Sequence, residues 1–364
     1  MDTTQDKTSP TISVDGRTIG KDFPTYFIAD IAANHNGDLS EAKDLIELAA
    51  IAGANAAKFQ HFQAENIVSS HGFDSMSNQL SHQANWGKSV TQVYKEATVP
   101  WEWSDELKQY CDTVGIHFFS APYDFGAIEM LDNYVPAYKI GSGDINWYES
   151  LDRIASKNKP IFLATGASTM VEVEQAIERI FKTNSQLCLM QCNTNYTGSI
   201  ENFNHIHLNV LKTFAVKFPQ TVLGLSDHTP GHATVLGAVA LGARAIEKHF
   251  TRHREQVGPD HAFSMNPTDW REMVDRTREL ELALGSYEKV VAHNELETVN
   301  IQRRCCRAAK DLTAGQILSR DTIDVLRPVE SNSIPPSEIE NIVGTTVKFD
   351  IVKGKALCWD LLQI

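Results

Sequence analysis

Eight short apolar runs, each followed by a stretch with helical spacing, leave few folds open to this chain. They read as strands at Tyr26–Ile31, Ala56–Gln60, Ile116–Ser120, Ala137–Ile140, Pro160–Ala164, Leu187–Gln191, Val222–Leu225 and Ala245–Lys248. The intervening segments SEAKDLIELAAIAGA, GAIEMLDNY, STMVEVEQAIERIFK and HATVLGAVALGA repeat apolar residues every three or four positions. In the first of them Ser40 is the expected N-cap and Gly53 the stop. Near-continuous apolar strands joined by helices predict a parallel sheet covered on its outside. Eight such units over roughly 250 residues fit a closed (β/α)8 barrel. An open dinucleotide-binding sheet needs a glycine-rich fingerprint after its first strand, and AANHNG at 32–37 is not one.

The alternation ends near Gly285. Residues 21–285 are therefore assigned to the barrel, 286–304 to a linker, and 305–364 to a small, mostly β domain that gains stability by docking. One long connection, from about Ala64 to Glu102, is expected to be a partly ordered loop near the pocket. The polar opening segment lacks the basic start and apolar run of a signal peptide. No run of about 18 apolar residues is present to span a membrane. A formal charge of −13 argues against nucleic acid or an anionic membrane as partner. The cysteines, among them the adjacent Cys305 and Cys306, show no zinc-ribbon spacing and read as free thiols of a reducing cytoplasm.

In a barrel of this kind the reactive side chains lie at the C-terminal strand ends. Polar residues gather there: Asp30, Lys58, Gln60, Ser120, Lys139, Ser142, Asp144, Tyr196, Ser226, Glu247 and the histidines His228 and His249. The two histidines end consecutive strands, where two imidazoles can share a divalent ion with water and substrate completing the shell. Lys58 and Lys139 sit inside apolar strands, where an ammonium needs a counter-charge. Facing one pocket with Ser142 and Ser226, they point to a phosphate or carboxylate ligand. A Schiff-base lysine ranks lower, because metal ligands in the same pocket would duplicate its chemistry. Asp30 and Asp144 either orient hydroxyls or water or pair with the lysines.

The segments ADIAANHNG, AAKFQHF, YKIGSGD, GLSDHT, EKHFT and GPDHAFSMNP, in that order, closely resemble the sialic acid synthase family. CRAAKDLTAGQILSRDTIDVLRP resembles that family's antifreeze-like (SAF) domain, so the likeness covers nearly all of the chain beyond the first twenty residues. The resemblance implies condensation of phosphoenolpyruvate with an N-acylated hexosamine such as N-acetylmannosamine, giving a nine-carbon 3-deoxy-2-keto acid and phosphate. It implies that His228 and His249 hold Mn2+ or Mg2+ and that Lys58, Ser120, Lys139, Ser142 and Ser226 bind phosphoenolpyruvate. Asp30, Gln60, Tyr196, Glu247 and Asp260 fall on the sugar side. Arg327 matches an arginine that reaches the partner's active site, which implies a domain-swapped homodimer. Asp30, Asp144, Lys58 and Lys139 are the residues expected to carry the chemistry. Three departures from the family's pattern stand out: Asp30 replaces a usual Glu, Ala121 and Ala164 replace hydroxyl residues, and Thr194 replaces an Asn.

Other readings make different demands. A synthase for phosphorylated sugars needs a further basic site. A barrel metallohydrolase needs more metal ligands, such as a His-x-His on its first strand. A carbohydrate-binding or ice-binding protein rests on the C-terminal domain alone.

Overall fold

All eight apolar runs become strands in the computed structural model, which describes residues 9–76 and 87–363. They are β1 (Tyr26–Asp30), β2 (Ala56–His61), β3 (His117–Pro122), β4 (Tyr138–Ile140), β5 (Ile161–Ala164), β6 (Leu187–Cys192), β7 (Val222–Asp227) and β8 (Ala245–His249). Each pairs in parallel with the next, and β8 returns to β1, closing a (β/α)8 barrel. The strands begin and end within two residues of their expected limits.

Successive residues of a strand face opposite sides, and here the two sides build two cores. Phe27, Ala29, Phe59, Phe118, Leu163, Leu189, Leu225 and Ile246 face outward and pack under the helices. Tyr26, Ile28, Ala56, Phe119, Ala137, Phe162, Met190 and Ala245 fill the barrel from its N-terminal end. Gly224 belongs to this inner layer. A Cβ there would lie 2.9 Å from the Ala245 carbonyl oxygen and 2.9 Å from Met190 Cγ, so the position admits no side chain. Following the same period toward the C-terminal ends turns Asp30, Lys58, Lys139, Ser226, Glu247 and His249 inward.

Two local features depart from the sequence reading. The first helix, Leu39–Ile51, is capped by Asp38, whose carboxylate accepts from Ser40 N and Glu41 N. Ser40 therefore lies inside the helix, because the residue with extended backbone stands two positions earlier. Second, Thr11–Val14 and Arg17–Gly20 form a hairpin in a region to which no element was assigned. Its turn places Asp15 (φ 46°) and Gly16 (φ 80°) in the left-handed region, as a two-residue hairpin turn requires. Ile12, Val14 and Ile19 join the inner core and so close the N-terminal end of the barrel.

The long connection after β2 is more structured than expected. It carries helices Ala64–Ile67, Ser70–Asp74 and Val90–Ala97, then a single turn at Trp101–Trp103 leading into helix Ser104–Val114. Residues 77–86 of that connection lie outside the described residues.

The chain divides into two compact units, Met1–Gly285 and Ser286–Ile364. The second has short paired strands, Cys305–Ala308 with Ile323–Leu326 and Thr346–Val347 with Leu362–Gln363. They close over Cys306, Leu312, Leu318, Ile334, Ile342 and Leu357. Among the described residues no helix is long and apolar enough to cross a membrane.

Gly224→Ala tests the inner packing. Overfilling a tight layer costs about 1–3 kcal/mol, so the denaturant midpoint of the variant is expected to fall. An unchanged midpoint would show that the layer has room to spare.

Candidate active site

The inward residues at the C-terminal strand ends open into a cavity of about 400 Å3. Asp30, Lys58, Lys139, Ser226 and Glu247 form its floor, and His228 and His249 stand together on one side. Ser142 and Asp144 come from a tight turn after β4, Tyr196 from the loop after β6, and Asp260 from the loop after β8. Gln60 lines the opening. Phe62, Ile67, Val93, Tyr94 and Ala97 make an apolar wall, most of it supplied by the long connection after β2.

The floor is a buried ionic network. Lys58 Nζ lies 2.6 Å from Asp30 Oδ2 and 4.0 Å from Glu247 Oε1. Lys139 Nζ lies 3.1 Å from the same Glu247 oxygen, to which Ser226 Oγ also donates at 3.2 Å. The second oxygen, Oε2, is buried and accepts no hydrogen bond among the described residues. Burial works against ionisation of Glu247, but Lys139 and Lys58 outweigh it and hold the carboxyl down at about 2. Lys58 keeps its proton for the matching reason: burial opposes the charge, and Asp30 and Glu247 restore it.

Four carboxyls face only two ammonium groups, and the surplus shows. Burial raises Asp144 to about 6 despite Lys139. Burial raises Asp260 to about 7, with the Ala33 amide pulling against it and the charge of Asp30 adding to it. Such a pocket favours an added cation or retained protons.

The histidines are suited to hold the former. Burial and the neighbouring His249 ring press His228 down to about 3, so it is neutral. Its Nδ1 lies 2.8 Å from the Asn193 carbonyl oxygen, which only accepts, so Nδ1 carries the proton and Nε2 offers a lone pair. The two ring centroids are 5.4 Å apart. His249 Nε2 lies 3.5 Å from Asp30 Oδ2 and its Nδ1 3.9 Å from Asp260 Oδ2. Among the described residues no group of three or more His, Cys, Asp or Glu is gathered for a metal. An ion here would take two imidazoles from the protein and the rest of its shell from water and substrate. The lone pair of His228, with the His249 ring beside it and surplus carboxylate around them, fits a divalent cation on those terms.

The structure separates the expected residues by strand period. Asp30, Lys58, Gln60, Lys139, Ser142, Asp144, Tyr196, Ser226, His228, Glu247, His249 and Asp260 all line the one cavity. Ser120 does not. It occupies the outward phase of β3, where its Oγ lies 2.7 Å from His61 Nδ1 and donates to the Phe59 carbonyl at 3.1 Å. Nearness to a strand end had suggested it, and the two-residue period excludes it. Asp227, beside His228, also faces outward and pairs with Lys248. Arg327 belongs to the second unit, exposed just past strand Ile323–Leu326.

Several lining residues escaped the sequence reading. Cys192 is in phase with the inward Cys188 and Met190, so the period could have found it. Val93, Tyr94 and Ala97 recur at helical spacing and could have been read as one face. Tyr123, just beyond β3 and edge-on to Phe62 at 6.0 Å, had no such signal.

Comparison with known proteins adds a family. The NeuB family model matches residues 45–289, and the SAF domain model matches residues 303–363. The N,N'-diacetyllegionaminic acid synthase of Legionella pneumophila is 35% identical over 354 residues, covering 94% of this chain and 96% of that one. The human N-acetylneuraminate-9-phosphate synthase is 31% identical over 349 residues, covering 96% and 95%. The crystal structure of the Bacillus subtilis spore coat polysaccharide biosynthesis protein SpsE superposes with a TM-score of 0.64 at 31% identity. It covers 97% of this chain and 99% of that one.

The raised Asp144 makes a prediction about stability. Folded Asp144 holds its proton up to about 6, whereas the unfolded chain releases it near pH ~4. The folded state therefore loses stability as pH rises through that window. Asp144→Asn, neutral throughout, should gain on the wild type by on the order of 1–2 kcal/mol between pH 4 and pH 7.5. Denaturant midpoints taken without ligand or metal check this; a difference independent of pH would show that Asp144 carries no such burden.

Proposed function

Because the chain belongs to the NeuB family and carries a SAF domain, we propose that it makes a nonulosonic acid by condensing phosphoenolpyruvate with an N-acylated amino sugar. The observation that carries this reading is the juxtaposition, in one cavity, of two buried lysines with two buried histidines. The lysines offer an anion site, and His228 offers a lone pair beside it, with the His249 ring next to it. The apolar wall of Phe62, Ile67, Val93 and Ala97 suits the methyl of an acyl group. Among the described residues lining the cavity no third ammonium or guanidinium stands ready for a sugar phosphate, which favours an unphosphorylated acceptor such as N-acetylmannosamine.

In this mechanism Lys58 and Lys139, with Ser142 and Ser226, hold the phosphate and carboxylate of phosphoenolpyruvate. Gln60, Tyr196 and Asp260 hold the sugar so that its aldehyde carbon lies against C3 of the enol, which removes much of the entropic cost of the encounter. His228 and His249 would hold Mn2+ or Mg2+, which supplies Lewis-acid polarisation of a carbonyl. The C3–C1 bond forms as the enol π pair attacks, and the aldehyde oxygen takes up a proton to become a hydroxyl. Asp260, titrating near neutrality, is placed to give that proton. The electron-poor C2 then adds water. Asp144, raised to about 6, is matched to accept the proton that the water loses. Collapse of the tetrahedral centre breaks the bond between C2 and the bridging phosphate oxygen; the C2 hydroxyl proton passes to the departing phosphate, and a ketone is left. Asp30, held by Lys58, accepts a hydrogen bond from a sugar hydroxyl.

A homodimer is part of the proposal, with Arg327 of one subunit completing the other's site. Its support is an unusual run of exposed apolar residues: Leu282, Leu284, Tyr287, Val290, Val291, Leu296 and Ile301.

Incubating the protein with phosphoenolpyruvate and a panel of aldoses, read by phosphate release and product mass, tests the function. No release with any amino sugar would sink it. A chelator is expected to stop turnover and Mn2+ or Mg2+ to restore it. His228→Ala and His249→Ala should each lose about 100-fold or more, matching the several kcal/mol a Lewis acid supplies. Oxygen label in the bridging position of phosphoenolpyruvate should appear in phosphate; label kept in the sugar acid would contradict C–O cleavage. Mixing Arg327→Ala with His228→Ala subunits should restore activity that neither has alone, and a mixture as inactive as its parts would contradict shared sites.

A further inference from the structure

Asp227 and Lys248 face away from the cavity, yet each precedes one of the two histidines that line it. They sit opposite one another in register on β7 and β8, and their side chains are 1% and 2% exposed. Lys248 Nζ lies 2.5 Å from Asp227 Oδ2 and donates to the Thr229 carbonyl at 2.6 Å. Thr229 in turn donates to Asp227 from its amide at 3.1 Å and from its hydroxyl at 2.9 Å. Thr234 Oγ1 adds a fourth donor to the same carboxylate at 2.6 Å. One ammonium thus grips the residues on both sides of His228 while being joined by one peptide bond to His249.

His228 needs such a grip. His249 still pairs with Asp30 in the ladder between β8 and β1, so its backbone is fixed by the sheet. The ladder between β7 and β8 ends at Asp227 and Lys248, which leaves His228 one residue past the last paired position. Desolvating two charges is costly, and an apolar pair of similar volume is often as stable, so stability alone does not account for an ion pair here. Geometry accounts for it. We propose that the Asp227–Lys248 pair is a positioning clamp that sets the spacing of His228 and His249 for one shared divalent cation. The proposal rests on the metal reading above.

The test is the double variant Asp227→Asn, Lys248→Met in the full chain. It removes both buried charges together, keeps one acceptor oxygen for the Thr229 amide while the Asn NH2 can donate to the Thr234 hydroxyl, and cuts the link between the strands. Thermal unfolding should stay cooperative with a midpoint near the wild type's. Calorimetric titration with Mn2+ alone should show affinity weakened by about 10- to 100-fold, the usual effect of losing a partner that orients ligands. Titration with phosphoenolpyruvate in the absence of metal should be unchanged, since Lys58 and Lys139 lie on other strands and Ser226 stays held within the β7–β8 ladder by its pairing with Glu247. Unchanged Mn2+ affinity would overturn the clamp while leaving the metal site standing, as would parallel weakening of both ligands, which marks a general structural lesion. A wild-type protein that fails to bind Mn2+ overturns the metal reading and the clamp together. Should the double variant not fold, Thr234→Val loosens Asp227 without touching a charge. A smaller loss of Mn2+ affinity is expected there, and none would likewise overturn the clamp.

Discussion

A β-strand sends consecutive side chains to opposite faces, and in this barrel that period decides what every strand-end residue can do. Lys58, Ser226 and Glu247 are in phase with the apolar inner layer beneath them and so reach the cavity. Ser120, Asp227 and Lys248 are one residue out of phase and become structure. The chemistry of a residue type is secondary to this sorting: a serine and a lysine appear on both sides of the wall with different fates. Inward polar groups stand at the C-terminal end because the N-terminal end is already filled, by Phe119, Phe162 and Met190 and by the hairpin beneath them.

The cavity collects charge that the rest of the fold would not tolerate. Two ammonium groups and four carboxyls are held within one buried chamber, and their mutual arrangement spreads their proton affinities widely. Glu247 is driven to about 2 by its two lysines, whereas Asp144 and Asp260 rise to about 6 and about 7. One carboxyl locked as an anion and two poised near neutrality is a division of labour that environment alone creates. Glu247 organises the lysines, while Asp144 and Asp260 are left able to exchange protons.

Much of this was legible in the residues. Near-continuous apolar runs with helical spacing between them dictate a parallel sheet covered by helices, and eight repeats dictate closure. The candidate residues followed from their places at strand ends, and most reach the cavity because they stand in the inward phase of their strands. What failed did so for physical reasons. Ser120 was judged by distance from the strand end when phase was the deciding property. Asp38 outcompeted Ser40 as a cap because the extended backbone position fell earlier. The hairpin at Thr11–Gly20 was readable in its alternation and its Asp-Gly turn, but its polar composition hid it. The wall from Val90–Ala97 was obscured because a long connection rich in Ser, His and Gln reads as loop until its helical period is sought.

The polar floor and the apolar wall impose opposite demands on whatever binds between them. Ionic groups can be desolvated at the floor because Lys58 and Lys139 already carry counter-charges in place, so an arriving anion meets ammonium groups already buried and oriented and does not have to strip water from free ones. The wall contributes no such pairing and rewards only apolar surface. A ligand that satisfies both must be anionic at one end of the assembled reactants and methyl-bearing at the other. On the function proposed above, phosphoenolpyruvate and an acylated amino sugar divide those properties between two molecules. The bond they form then joins the half of the cavity governed by charge to the half governed by shape.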